Sequence, residues 1–169
     1  NNIGAVYSSM GENPKAIDFY QKALDILSKK FDKYHPNIAN IYNCLGDAYY
    51  NENNYIKALD LYQKAFNIWS KIYGDNHPDV AISYNNIGGI YDTNGDYTKA
   101  LDYYQKALDI WLKFYGEKHP YIAISYNNIS DAYSSQDNYI KALEYYQKSL
   151  SIKIKLYGEN NKSTQSTIS

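Results

Sequence analysis

The chain of 169 residues contains no arginine; all 17 of its basic residues are lysine. The guanidinium fork is the usual bidentate reader of carboxylate, phosphate and guanine, and its absence removes the commonest means of gripping nucleic acid. The lysines are balanced by 18 acidic residues, which leaves a formal net charge of −1. A nucleic-acid partner needs a basic face or stripe, so none is expected. Cys44 is the only cysteine. No intrachain disulfide can form, and a disulfide-stapled extracellular scaffold is excluded. No apolar run approaches the ~20 residues of a membrane span, and no signal peptide is visible. The expectation is therefore a cytoplasmic protein with no membrane partner. The opening Asn1, in place of methionine, points to a piece of a longer protein.

Tyrosine is abundant, at 22 residues, alongside much asparagine, isoleucine and lysine. That mix suits an AT-rich genome as well as any functional demand. The order of the residues is more informative. His-Pro recurs at His35-Pro36, His77-Pro78 and His119-Pro120, each 42 residues after the last. Tyr7, Tyr49, Tyr91 and Tyr133 keep that register, as do Ala16, Ala58, Ala100 and Ala142. The chain reads as one array over 1–160: a first repeat lacking its opening (1–34), then 35–76, 77–118 and 119–160. The tail, 161–169, reads as the start of a fifth repeat, with Ser169 aligned on Asn127. Both ends thus cut through a first helix, so the chain is expected to continue in both directions.

Each repeat reads as two helices. The first starts at the proline, which is favoured where a helical N–H has no partner anyway. Its apolar residues, Tyr42, Leu45, Ala48 and Tyr49 in the second repeat, have helical spacing. It stops in "NENN", "TNGD", "SQDN" or "MGEN", all turn chemistry. The second helix presents Ala58, Tyr62, Ala65, Trp69 and Ile72 at steps of four and three, which places them on one face. Acid precedes base by four residues in Asp18/Lys22, Asp60/Lys64, Asp102/Lys106 and Glu144/Lys148, an arrangement that supports helices. Gly74, Gly116 and Gly158 suit a left-handed helix end. Alanines on the seam let helix axes approach closely while aromatics fill the gaps. One such hairpin cannot bury both its faces, so several stack into a continuous core.

These residues resemble the tetratricopeptide repeat: Tyr42-x2-Leu45-Gly46-x2-Tyr49, then Ala58-x3-Tyr62 and Ala65. The third repeat matches with Tyr84, Ile87, Gly88, Tyr91, Ala100, Tyr104 and Ala107. The fourth matches with Tyr126, Ile129, Tyr133, Ala142 and Tyr146, Ser130 replacing the glycine. The usual period is 34, however, and the usual proline near the end of the second helix is missing. The 42-residue length, "YNN" and "YG-x-x-HP" resemble the repeats of kinesin light chain. The resemblance implies an all-α fold, a right-handed superhelical solenoid of antiparallel helix hairpins, and a protein-binding scaffold without cofactor or catalytic residues. Fold alone does not settle function.

No catalytic set emerges. The three histidines are too far apart in a repeat array to share a metal, and each precedes a proline, which favours turn and cap roles. Cys44 reads as a buried, inert thiol, and the acceptor patterns at Asn128 and Asn161 as chance. Lys153 and Lys30 replace seam apolars, so the outer end of the second helix is expected to lie near water there.

The remaining candidates are the paired positions Asn1-Asn2, Asn43-Cys44, Asn85-Asn86 and Asn127-Asn128. By the resemblance, first helices line a concave groove whose residues here contact an extended peptide. A carboxamide both donates and accepts, so a row of them suits a peptide backbone. The alternative is that one asparagine of each pair packs against the neighbouring repeat. Flanking groove positions are Asn40, Asp47, Tyr50 and Asn51, then Gly89, Asp92 and Thr93, then Asp131, Ser134 and Ser135. None is basic. Some members of the family clamp a terminal carboxylate, and kinesin light chains favour acidic aromatic peptides, but neither preference follows here. Charge complementarity favours a neutral or basic peptide partner. The alternatives are end-to-end stacking of copies, or a sensor array within a larger protein.

Overall fold

In the computed structural model, which describes residues 2–158 together with Asn161 and Thr164, the His-Pro steps start helices. Eight helices run in chain order: α1 (Asn2–Ser9), α2 (Asn13–Lys30), α3 (Pro36–Asn51), α4 (Tyr55–Tyr73), α5 (Pro78–Thr93), α6 (Tyr97–Tyr115), α7 (Pro120–Ser135) and α8 (Tyr139–Tyr157). No strand occurs among the described residues. The histidine before each proline is itself a cap. Nδ1 of His35 accepts from the Asn37 amide at 3.2 Å, and His77 and His119 accept from Asp79 and Tyr121 at 3.3 Å. This satisfies one of the orphan donors of the first turn. Each imidazole also meets the aromatic that ends the preceding helix: Phe31 over His35 at 4.0 Å, Tyr73 on His77 at 4.2 Å and Tyr115 on His119 at 4.0 Å. Thus "YG-x-x-HP" is a folded corner, with a ring stack closing it.

The turn inside each hairpin needs one residue at positive φ. Gly11 (76°), Asn53 (58°), Gly95 (79°) and Asp137 (58°) fill that single register position, which only Gly, Asn and Asp occupy readily. The next residue caps the second helix: Asn54, Asp96 and Asn138 accept from the amides of Lys57, Lys99 and Lys141. Glu12 makes no such bond. At the far end the amides of Gly74, Gly116 and Gly158 donate to the carbonyls of Ser70, Leu112 and Ile154.

The helices gather into two compact units, Asn1–Ile90 and Tyr91–Ser169, the division falling within α5. In the first unit α2, α3 and α4 share one core that includes Leu24, Ile41, Leu45 and Trp69, with Val80 of α5 against it. In the second, α7 packs on both α6 and α8, and Trp111 stacks on Tyr121 at 4.7 Å. The seam alanines Ala16, Ala58, Ala65, Ala100 and Ala107 are 0% exposed, as close helix contact requires. A Cβ on Gly46 would lie 2.5 Å from the ring of Tyr62. In the fourth repeat that Cβ exists, on Ser130, and Tyr146 is half-buried where Tyr62 and Tyr104 are 3% exposed.

Two seam expectations need correction. Ile72 and Phe114 are 36% and 59% exposed; the extra turn of the second helix runs past the core. Lys153, expected near water, is 6% exposed. Thr164, from the chain beyond Gly158, is itself fully buried and its hydroxyl donates to the Gly158 carbonyl at 2.9 Å. Lys30 is exposed as expected. Asn1 and most of the 161–169 tail lie outside the described residues.

Candidate functional site

In the first unit the asparagine strip is a bonded network. The Asn86 carboxamide on α5 donates to Asn43 Oδ1 on α3 at 3.0 Å and to Asp47 Oδ1 at 3.4 Å. Asn43 Nδ2 donates to Asp47 Oδ2 at 3.3 Å, and the Tyr62 hydroxyl on α4 donates to Asp47 Oδ1 at 2.8 Å. One asparagine of a pair therefore ties its helix to the preceding repeat, while Asn43, Asp47 and Asn86 remain half-buried rather than enclosed. Burial pushes the Asp47 carboxyl above its ordinary value, against the pull of the Tyr62 hydroxyl. The same burial, and then the Asp47 charge, raises Tyr62. Tyr50 is half-buried, 5.4 Å from the ring of Tyr55, and Asn40 and Asn51 are exposed. Cys44 is half-buried; burial raises its thiol, and it shares a hydrogen bond with Tyr20, which is pushed up to about 12 mainly by burial.

The second unit repeats the tyrosine–carboxylate bond with one shift. Tyr146 donates to Asp131, fifteen residues earlier, as Tyr62 does to Asp47. Fifteen residues before Tyr104 stands Gly89, and Tyr104 reaches Asp92 instead, one turn further along α5. Asp92 is raised by burial and then by the charge of Asp131, the Tyr104 hydroxyl opposing. Tyr146 is pushed up to about 12 by burial and then by Asp131. Below them, burial lowers Lys153 and the Asp131 charge partly restores it. Asp92 Oδ1 and Asn127 Oδ1 are enclosed and accept no hydrogen bond. Asn85, Asn128 and Ser134 are half-buried, and Thr93, Asp131 and Ser135 are exposed.

The sequence reading missed how charge divides between the helices. The odd-numbered helices α1, α3, α5 and α7 contain no lysine, and their only charged side chains are Asp47, Asp79, Asp92 and Asp131. Every lysine up to residue 158 lies on an even-numbered helix or the loop after it. On those helices four of the six acids are neutralised locally, by Asp18–Lys22 at 2.6 Å, Asp60–Lys64 and Asp102–Lys106 at 2.7 Å, and Glu144–Lys148 at 2.6 Å. The signal was readable from the residues once each stretch was assigned to a first or a second helix.

Two surface hollows lie elsewhere. One of about 470 Å³ is lined by Glu117, Tyr126, Lys148 and Lys155, and one of about 320 Å³ by Ala23, Ile26, Leu27 and Ile41. Neither includes a predicted groove residue. Among the described residues no three His, Cys, Asp or Glu side chains come together to hold a metal, and no helix is long and apolar enough to cross a membrane.

Comparison with known proteins places this geometry. No curated protein matches the sequence. Solved structures match in fold. BtubC (BKLC) from P. vanneervenii superposes with a TM-score of 0.83 at 24% identity, over 97% of this chain and 65% of that one. The chain therefore spans somewhat less than two thirds of BtubC. A kinesin light chain-like protein of Podosopora anserina with nearly identical TPR-like repeats matches at 0.79 and 20% identity, over 98% of this chain and 78% of that one. The apo form of RapI matches at 0.78 and 24% identity, over 91% and 54%. The all-α helical-repeat fold read from the sequence is thus the observed one. Tetratricopeptide repeats generally mediate protein–protein contacts and are generally non-catalytic. The tetratricopeptide repeat model matches residues 1–55, 37–113 and 93–155, and the chain belongs to that family.

Proposed function

We propose that the chain is a non-catalytic scaffold that holds an extended peptide, neutral or basic, along its odd-numbered helices. The observation that carries this reading is the charge division: the charged side chains of those helices are all carboxylates, while the lysines stand on the others. A ligand cation there meets acids that have no lysine on their own helix. In the second unit the buried Lys153 offsets one of the two charges of Asp92 and Asp131, so a net negative charge remains. The carboxamides supply paired donors and acceptors for a peptide backbone. The network of Asn43, Asp47, Asn86 and Tyr62 holds its members in place before binding, which lowers the ordering cost.

The array comprises four hairpins in this reading, at 1–34, 35–76, 77–118 and 119–160. Thr164 occupies the register of Val80 and Ile122 and is fully buried as they are, which supports 161–169 as the opening of a fifth. The test is an array of short peptides of acidic, neutral and basic composition, probed with the native chain and with Asn85→Ala and Asn127→Ala. The reading expects neutral and basic peptides to bind and both substitutions to weaken them. Selection of acidic peptides, or binding indifferent to both substitutions, contradicts it.

A further inference from the structure

One corner of the repeat occurs in both units, filled by a ring in the first and open in the second. The open one is the hollow of about 470 Å³ between α7, α8 and the loop that precedes α7. Ile152 and half-buried Tyr126 give it an apolar floor, and the exposed Lys118 and Lys155 give it a charged rim. Two repeats earlier, wholly inside the first unit, stand Tyr42 for Tyr126, Ile68 for Ile152, Lys64 for Lys148 and Lys71 for Lys155. Each of these has the same degree of exposure as its counterpart, so the hollow belongs to the packing of the repeat itself. One part differs: Tyr34 occupies the place of Lys118. The Tyr34 ring packs against the core of its unit, and the Lys71 ammonium lies 3.6 Å from the ring centre. Its hydroxyl is lowered from the ordinary value by hydrogen bonding from Lys71, then by the charges of Lys33 and Lys71. The first unit therefore shows what the corner accepts. It takes a flat ring, met by a lysine, with an oxygen drawn toward its anionic form.

We infer that the hollow in the second unit is a binding site for a small aromatic carboxylate, its ring lying where the second repeat has Tyr34 and its anion meeting Lys118 and Lys155. The volume falls within the roughly 300–1,000 Å³ of small-ligand sites. Lys155 is placed to meet the ring face as Lys71 does, an attraction between cation and aromatic ring. Charge selects the other half of the ligand. Three lysines and two glutamates line the hollow, and Glu144 is held by Lys148 at 2.6 Å. That leaves two lysines against Glu117, and neither Lys118 nor Lys155 forms an ion pair among the described residues. The exchange of tyrosine for Lys118 thus opens the corner and adds a cation in one step. A ring with an anion satisfies both changes; an aliphatic acid or an aromatic amine satisfies one. The site is separate from the peptide face, since none of its lining residues is a groove residue, and neither reading depends on the other.

The test uses phenylacetate, titrated into the whole chain to about 10 mM, a range that reaches the affinities of ligands this small, and followed by NMR shifts. Saturable shifts are expected at Tyr126 and Ile152, with one equivalent bound and several-fold weaker binding at high salt. Lys118→Tyr supplies the ring from the chain, as the second repeat does, and abolishes binding. Lys155→Gln weakens it several-fold. The reverse exchange, Tyr34→Lys, opens the corner of the first unit, where Lys71 remains, and raises the stoichiometry to two. Circular dichroism confirms that each variant folds; should Lys118→Tyr fail, Lys155→Gln serves in its place. Cyclohexylacetate, which keeps the anion without the flat ring, and benzylamine, which keeps the ring with the opposite charge, are expected to bind several-fold more weakly. Absence of saturable shifts at Tyr126 and Ile152 overturns the inference. So does equal binding of either control, native-like binding by Lys118→Tyr or Lys155→Gln, or a folded Tyr34→Lys chain that still takes up one equivalent.

Discussion

The tyrosine on the seam of each second helix does more than fill space. Tyr62 and Tyr146 donate to Asp47 and Asp131, Tyr104 to Asp92, and Tyr20 meets Cys44 where no carboxylate is available. A buried carboxylate that loses its donor bears the full cost of its lost hydration. Tyr62→Phe is expected to destabilise the fold by about 1–2 kcal/mol in urea unfolding, and to raise the Asp47 carboxyl further, as read by NMR titration. The pH dependence has the opposite sign to that of an ion-paired acid. Asp47 and Asp92 are raised in the folded state, so between the unfolded and folded values the folded chain binds more protons. Their cost is absent below the unfolded value and fully present above the folded one. Stability is therefore expected to fall as pH rises through that window, and Asp47→Asn to flatten the slope; a native chain that gains stability there would refute the assignment. The carboxylates were legible as first-helix positions. Their partners were not, because the bond crosses two helices and shifts by a turn where Gly89 lacks a side chain.

The hairpin was the most legible level, because its punctuation repeats. Prolines start the first helices, one glycine, asparagine or aspartate turns the chain, and glycines close the second helices of the last three repeats. The histidine caps follow from the same "HP" step. The seam was read less well at its outer end. Helical spacing places Ile72 and Phe114 in line with Trp69 and Trp111 but cannot say where the neighbouring helix stops. Lys153 was misread because spacing along α8 cannot say what covers it: it is 6% exposed, and Thr164, beyond the last full repeat, is buried as well. Two substitutions measure the hairpin's local contributions. Asn54→Ala removes a cap and is expected to cost about 1 kcal/mol. Gly46→Ala improves helix propensity by about 1 kcal/mol, yet its Cβ meets the Tyr62 ring at 2.5 Å. Overpacking of that kind costs about 1–3 kcal/mol, so a net loss of stability is expected on thermal unfolding. A gain would mean that the ring moves aside freely.

For the molecule as a whole, repetition fixes the kind of protein, and charge division is what the proposed neutral or basic partner rests on. Family, helix order and register could all be read from a 42-residue period. The division of acids and lysines between helices was equally present in the residues, but it emerges only when helices rather than composition are compared; a net charge of −1 conceals it. Its consequence is electrostatic and so depends on ionic strength, because exposed charges are screened beyond about 8–10 Å in physiological salt. The decisive measurement is calorimetric titration of a lysine-bearing extended peptide into the native chain and into Asp92→Asn/Asp131→Asn, at low and at high salt. The account predicts several-fold weaker binding by the native chain at high salt, and a variant that binds more weakly with little salt dependence. Equal binding by chain and variant, or tighter binding of an acidic peptide as salt is lowered, would contradict it.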